Sequence, residues 1–277
     1  VLVIIIGTLA NVSIAGMLIA GILPGLMLAT MFLIYTLGRV RFNPSLAPED
    51  AATSTVDVSL GEKLRAILRV MPFALIIFCV MGLILLGIAT PSESAATGVV
   101  GSMITAAYYR KLNWKMISES LSSAAFIASM ILVIMASSKM FSQLLAFTGS
   151  TRELTQVVAG LDLSAYLMLF IMMLIPFILC MFIDQIALML VVIPIYQPLI
   201  KSLEFDPIWF WLLMLLNVTV GGMTPPFGYT IFAFKGATDR VSLQQIFSAT
   251  WPFVAIFLLG MLVIAAFPPI ATFLPGF

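Results

Sequence analysis

The sequence is too apolar and too poorly charged for a soluble protein. Of its 277 residues, 62% are hydrophobic and only 9% are charged, and the mean hydropathy is +1.18. A soluble domain has about half apolar and about a quarter charged residues. The formal net charge of +1 gives no attraction to nucleic acid, so no nucleic-acid partner is expected. Long continuous apolar runs indicate an all-α polytopic membrane protein embedded in the lipid bilayer.

Seven apolar runs are long enough, or nearly so, to cross a membrane as helices, which needs about 20 residues. The predicted spans are Val12–Leu37, Val70–Ala89, Ser94–Tyr109, Ser122–Phe147, Ala165–Ile183, Ala187–Ile200 and Gln244–Phe267. Val1 lies inside a further apolar run, and there is no initiator methionine. We therefore expect more sequence upstream.

Basic residues flank one out-and-back pair of these spans. The polar stretch 38–69 precedes the pair and a short basic cluster follows it; the residues are Arg39, Arg41, Lys63, Arg65 and Arg69, then Arg110, Lys111 and Lys115. By the positive-inside rule both clusters are cytoplasmic. Between the two spans, Glu93 is expected to cap the helix that starts near Ser94 rather than to bind a ligand.

Residues 221–228 read Gly-Gly-Met-Thr-Pro-Pro-Phe-Gly and cannot form a regular helix. The prolines remove backbone N–H donors, and the glycines permit backbone angles that other residues avoid. The apolar flanks 208–220 and 229–234 are too short to cross the hydrocarbon core. We predict a re-entrant hairpin with its non-helical tip at 221–228; a proline-kinked ordinary span is the alternative. Broken backbone at membrane depth marks substrate and ion sites in transporters.

A weak internal repeat relates the two ends of the sequence. Val12-Ser13-Ile14 and the run containing Pro24 resemble Val241-Ser242-Leu243 and the run containing Pro252. Because the second copy follows a hairpin, the first is expected to follow another hairpin upstream. The predicted fold is therefore an inverted-repeat, ion-transporter-type fold with a re-entrant hairpin and discontinuous helices.

This reading divides the chain into four parts. Residues 1–37 end the first repeat, 38–69 form a polar cytoplasmic connection with an amphipathic helix, 70–162 are connecting spans, and 163–277 form the second repeat. Trp209, Trp211 and Trp251 are interpreted as interfacial anchors. Cys79 and Cys180 are expected to be small buried side chains rather than a disulfide or metal pair.

The polar residues suit a bound ion better than covalent chemistry. The chain has no histidine, and Ser138-Lys139 stands alone without an oxyanion context, so neither an enzyme nor a cofactor is expected. Na⁺ is the expected coupling ion, held by carbonyl, hydroxyl and carboxylate oxygens. Candidate ion ligands are Gly222, Met223, Thr224, Pro225, Asp184 and Ser13; candidate substrate contacts are Thr224, Pro226, Gly228, Asn217 and Asn11.

Two of these assignments carry alternatives. Asp184 is the carboxylate placed deepest in apolar sequence, which makes it a functional candidate, but an aspartate at a helix end near the interface fits as well. Ser13 and Asn11 lie near the start of the first repeat copy and are candidates for a site that mirrors the one at 221–228.

Motifs along the whole chain resemble the large membrane subunit of TRAP (tripartite ATP-independent periplasmic) transporters. The resemblance is most specific from Asn217 to Gly236. The other matching segments are Ser13-Ile14, Ala20-Gly21, Pro24-Gly25, Ala89–Ala95, Phe182-Ile183-Asp184, Pro194–Pro198, Glu204–Pro207 and Val241-Ser242-Leu243. The resemblance implies that Gly222 to Gly228 form the second hairpin tip and that Asp184 lies in the stretch paired with this tip. It also implies that Ser13 lies in the discontinuous helix after the first hairpin.

The resemblance also implies a function. The large subunit would take up a carboxylate-bearing organic acid, such as a dicarboxylate or sialic acid, by an elevator-like movement driven by Na⁺. A periplasmic solute-binding protein would deliver the solute, and a small membrane subunit would brace the large one in the bacterial inner membrane. Several alternatives stay open. Transport could be coupled to protons through Asp184 or Glu93, or could need no binding protein. The chain could also be a channel, an intramembrane enzyme or a non-transporting scaffold.

Overall fold

The computed structural model describes residues 1–44, 59–160, 163–225, 228–237 and 241–276. Within these ranges the chain is helical and has no strand, which confirms the all-α membrane class. The helices are α1 (Leu2–Ala10), α2 (Ile14–Ala20), α3 (Ile22–Phe42), α4 (Leu60–Leu85), α5 (Pro91–Tyr108), α6 (Trp114–Phe147), α7 (Ser150–Gly160), α8 (Ala165–Cys180), α9 (Gln185–Ser202), α10 (Pro207–Gly221), α11 (Tyr229–Ala237), α12 (Leu243–Ala266) and α13 (Pro269–Thr272).

Not all predicted spans appear at full length. Among the described residues, the stretch Ile14–Phe42 and the helices α6, α9 and α12 are long and apolar enough to cross a membrane, and α4 joins them if its two arms, bent by 46°, count as one span. Helix α8 has only 16 residues because the chain turns after Cys180, earlier than predicted. The short helix α7 was not predicted.

The chain divides into two compact units, one of residues 33–128 and one of residues 1–32 with 129–277. In the first of these, α4 and α5 pack closely because α5 presents glycines: a Cβ on Gly98 would lie 2.8 Å from Val80 Cγ2. Thr90 and Glu93 form a capping box at the start of α5, which confirms the capping role of Glu93. Cys79 is exposed, so the expectation of burial was wrong for it.

The larger unit is built around α9 and α10. Phe210, Trp211 and Met214 on α10 and Met189 on α9 are completely shielded from solvent. A helix that is apolar on all sides belongs at the centre of a bundle, and α1, α2, α8 and α12 supply the surrounding layer. The interpretation of Trp209 and Trp211 as interfacial anchors is therefore wrong, since both are buried and the Trp209 indole donates to Ile264 O at 2.9 Å.

Two adjacent polar side chains of α6 bond main-chain carbonyls inside this bundle, and one of them compensates for a proline. Pro194 has no N–H to offer the Leu190 carbonyl, and the Ser138 hydroxyl of α6 donates to that carbonyl instead. The adjacent Lys139 donates from Nζ to Leu9 O at the end of α1, at 3.3 Å. The Ser138-Lys139 pair therefore ties α6 to α9 and α1.

Local structure follows the internal repeat. Helices α1 and α11 each contain nine residues. Each is followed by a serine N-cap, Ser13 accepting from Gly16 N and Ser242 accepting from Gln245 N, and then by a long apolar stretch. The inverted relationship between the two copies stays a prediction.

Candidate functional site

The interruption predicted at 221–228 is present. Helix α10 ends at Gly221, residues 222–225 turn, and α11 begins at Tyr229. Pro226, a candidate substrate contact, and Phe227 lie outside the described residues. The arms of 15 and nine residues are both too short to cross the hydrocarbon core alone.

Short turns and one hydroxyl close the end of α10. Met223 N donates to Val220 O at 3.2 Å and Thr224 N donates to Gly221 O at 3.1 Å. The Thr224 side chain is completely buried, and its hydroxyl donates to Val220 O at 2.6 Å. Since the hydroxyl hydrogen is used here, the lone pairs of this oxygen are the groups that it offers to a cation.

The glycines of the tip provide space rather than unusual backbone angles. A Cβ on Gly221 would lie 2.7 Å from Cys180 Cβ, and one on Gly228 would lie 3.1 Å from Met223 O. Gly222 has φ −70°, which any residue adopts, and the positive-φ glycines of the described chain are Gly87 and Gly149. Gly222 therefore does not use the wider range of backbone angles that glycine permits.

Asp184 lies at a second break, between α8 and α9. It is exposed and is the N-cap of α9, where its Oδ1 accepts from Ile186 N at 2.9 Å and from Ala187 N at 3.2 Å. This is the helix-end position considered as the alternative. A capping carboxylate has further lone pairs besides those that accept from the helix, and Asp184 can offer these to a cation.

The α8–α9 break packs against the end of α10. The Gln185 amide donates from Nε2 to Val218 O at 2.8 Å, and the Cys180 thiol donates to the same carbonyl at 3.2 Å. Asp184 therefore belongs to the stretch beside the tip. The sequence analysis missed Gln185; the available signal was a lone amide directly after a candidate aspartate at the start of an apolar run.

Asn217 lies one turn before the tip and is 2% exposed. Its amide donates from Nδ2 to Met173 O of α8 at 2.8 Å. It also borders a largely apolar groove of about 590 Å³ lined by α8, α10 and α12. The structure thus gives Asn217 a packing role, and its contact with a substrate stays a prediction.

Ser13 and Asn11 lie at the opposite end of α10 from the tip. A Cβ on Gly16, whose amide Ser13 caps, would lie 3.3 Å from Ile208 Cδ1. Ile208 and Gly221 are separated by about 20 Å along the helix axis. Asn11 ends α1 in the left-handed conformation, with φ 54°. Any site that Ser13 and Asn11 form is therefore separate from the tip.

The described residues contain no group of three or more His, Cys, Asp or Glu side chains placed to hold a metal ion. The oxygen donors beside the interrupted backbone are the Thr224 hydroxyl, the Asp184 carboxylate and main-chain carbonyls. These are hard ligands of the kind that coordinate Na⁺ at unwound helices in transporters.

Sequence comparison relates the chain to known transport proteins. It is 31% identical over 275 residues to the ectoine TRAP transporter large permease protein of Halomonas elongata, and 28% identical over 273 residues to the ectoine/5-hydroxyectoine large permease protein of Ruegeria pomeroyi; each match covers 98% of this chain and 62% of the relative. The C4-dicarboxylate large permease protein of Pseudomonas aeruginosa is 27% identical over 267 residues, covering 95% of this chain and 60% of the relative.

The chain thus spans about three-fifths of the length of these relatives, which are named as transporter permeases and not as enzymes. Residues 1–270 match the sequence profile of the family described as tripartite ATP-independent periplasmic transporter, DctM component. The match covers nearly the whole chain, so the chain belongs to the DctM family of TRAP transporter large permease subunits, integral proteins of the bacterial inner membrane.

Proposed function

We propose that the chain forms part of a Na⁺-coupled permease subunit that imports a carboxylate-bearing organic solute. The observation that carries this proposal is the interrupted α10–α11 segment, whose buried Thr224 lies in the tip while the break containing Asp184 packs against the end of α10. Membrane proteins keep non-helical backbone at depth only where it is buried in protein or lines a cavity.

A monovalent cation fits the donors in this region. We assign Thr224 and Asp184 as side-chain ligands, with main-chain carbonyls of Gly222, Met223 and Pro225 as the remaining oxygens. A carbonyl turned out of its helix inside a membrane protein costs several kcal/mol unless a partner is found. Binding of Na⁺ would remove that cost, so the ion and the closed tip would stabilise each other.

Family membership supports the proposed solute class and partners. The relatives are named for ectoine and for C4-dicarboxylates. We propose that a periplasmic solute-binding protein selects the solute and that a small membrane subunit supports an elevator-like movement of the core. Thr224, Pro226, Gly228 and Asn217 are the proposed solute contacts.

The test is solute uptake by the full-length protein reconstituted with its small subunit and binding protein. C4-dicarboxylate and ectoine are supplied separately, with an inward Na⁺ gradient, an inward proton gradient or neither. We expect saturable uptake that requires the Na⁺ gradient. Uptake driven by protons alone supports the proton-coupled alternative. Conductance that does not saturate supports a channel, and equal uptake with and without the Na⁺ gradient contradicts the Na⁺ coupling.

A further inference from the structure

We propose that Gln185 is a positioning residue that sets the affinity of the tip for its coupling cation. This inference rests on the proposed function and assigns a specific task to a side chain whose amide N–H donates to a main-chain carbonyl of α10. Gln185 is 7% exposed at the first position of α9. A buried amide is costly unless it is hydrogen-bonded, so its choice of partner is informative.

The partner of Gln185 is the carbonyl from which the tip starts. Val218 O accepts from Gly222 N at 3.0 Å, from Gln185 Nε2 at 2.8 Å and from Cys180 Sγ at 3.2 Å. Gly222 is the first residue beyond α10. Side chains of α8 and α9 therefore hold the peptide group that orients the first turn of the tip.

Gln185 also connects this carbonyl to the candidate carboxylate. Asp184 precedes it directly and caps α9 through Oδ1. The α9 backbone at 184–185 therefore carries both the Asp184 oxygens and the donor that holds Val218. Loss of the Gln185 amide would leave the proposed ligands Asp184 and Thr224 in place, but the distance between them would no longer be fixed. A cation site of oxygen ligands is sensitive to such a loss of pre-organisation.

Gln197 provides a matched comparison on the same helix. Its Nε2 donates to Ala10 O at the end of α1, at 2.7 Å. Positions 185 and 197 are separated by about 18 Å along the helix axis. The two residues thus make the same kind of bond to the last carbonyls of two different helices, and only Gln185 does so beside the tip.

The experiment uses the complete transporter with Gln185→Met or Gln197→Met, since methionine keeps the length of the side chain and lacks the N–H donor. The Na⁺ concentration for half-maximal uptake and the maximal rate per folded protein are measured. We expect Gln185→Met to raise the half-maximal concentration about five- to ten-fold, as loss of one hydrogen bond does, with the maximal rate retained. Gln197→Met should leave that concentration within about two-fold. Equal shifts in the two variants, or a loss of maximal rate alone, overturn the proposal.

Hydrogen exchange provides a readout that does not depend on transport. In Gln185→Met without Na⁺, the amides of residues 222–224 should exchange about five-fold faster than in the wild type, and Gln197→Met should leave them unchanged. Unchanged exchange in Gln185→Met overturns the positioning role even if uptake falls. If wild-type uptake is indifferent to Na⁺, the proposed function fails, and the exchange data still decide the role of Gln185. Gln185→Asn, whose amide is one methylene shorter, replaces Gln185→Met if that variant does not fold.

Discussion

Helices α1 and α10 of the larger unit both end in broken backbone, but one end is exposed and the other is buried. Helix α1 ends at an exposed left-handed Asn11, and Ser13 caps the helix that follows. Helix α10 ends among buried groups, where Gln185 and Cys180 donate to Val218 O. Local turns contribute at both ends, and side chains of other helices add to both, since Lys139 and Gln197 donate to the last carbonyls of α1. The two ends therefore differ in burial: Asn11 is exposed, whereas Val218 and Thr224 are completely buried.

This difference bears on function. A polar group at an exposed end can replace a lost protein partner with water, whereas a buried group that loses its partner keeps the full cost of desolvation. Substitutions at the buried α10 end should therefore have larger effects than substitutions near the exposed end of α1.

The largest effect is expected from Gly221→Ala. The added Cβ would lie 2.7 Å from Cys180 Cβ and 3.1 Å from the Phe177 carbonyl oxygen, which is backbone and cannot rotate away. Overpacking of this kind should lower the free energy of unfolding by about 3 kcal/mol, measured by denaturation in detergent micelles. Gly25→Ala on α3 is the control, since nothing lies within 4 Å of its Cβ position. Equal stability of the two variants would contradict the close contact between α8 and α10.

Asp184→Asn separates the capping role from the ligand role. Asparagine caps helices as well as aspartate does, so stability should change by no more than about 0.5 kcal/mol. If the carboxylate binds Na⁺, its loss should raise the half-maximal Na⁺ concentration for uptake about 30-fold, equivalent to about 2 kcal/mol. Asp206→Asn is the matched control, because Asp206 caps α10 by accepting from Trp209 N at 2.8 Å. If both variants keep wild-type Na⁺ dependence, Asp184 is a cap alone.

Thr224→Val should have a smaller effect. The substitution keeps the shape of the side chain and removes the hydroxyl that bonds Val220 O inside the bundle. We expect the Na⁺ concentration for half-maximal uptake to rise about ten-fold and the free energy of unfolding to fall by about 1 kcal/mol. Thr219→Val removes a similar bond, from Thr219 Oγ1 to Leu215 O, at an exposed position. If Thr219→Val raises the half-maximal Na⁺ concentration as much as Thr224→Val does, the effect is not specific to the Thr224 hydroxyl.

The smallest effect is expected at the α1 end. Asn11 has φ 54°, a conformation that costs an alanine about 1 kcal/mol more than it costs a glycine. Asn11→Gly should therefore be neutral or slightly stabilising, and Asn11→Ala should destabilise by about 1 kcal/mol, as read from the unfolding midpoint. Neither should alter the Na⁺ dependence of uptake. A change in that dependence would contradict the separation of Asn11 from the tip.

Local chemistry made much of this arrangement predictable. Glu93 bonds Thr90 three residues away, so its capping role could be predicted from the order of residues alone. Ser13 and Ser242 also cap the helices that follow them, although the sequence analysis did not predict this role for either. The break at 221–228 could also be predicted from the sequence, because proline lacks a backbone N–H in any surroundings. The burial of Trp209 and Trp211 could not be predicted from the sequence, since an amphipathic ring suits the membrane interface as well as the centre of a helix bundle.

The sequence by itself determined the membrane class, the family motifs and the places where helices begin and break, because these depend on hydropathy and on backbone chemistry within single segments. Only the tertiary structure decided which breaks meet. Val218 follows Cys180 by 38 residues and Gln185 by 33, and the hydrogen bonds that join it to them exist because α8, α9 and α10 pack together. The same packing placed Asp184 in the stretch beside the tip and Ser13 at the far end of α10, a distinction that residue order does not encode.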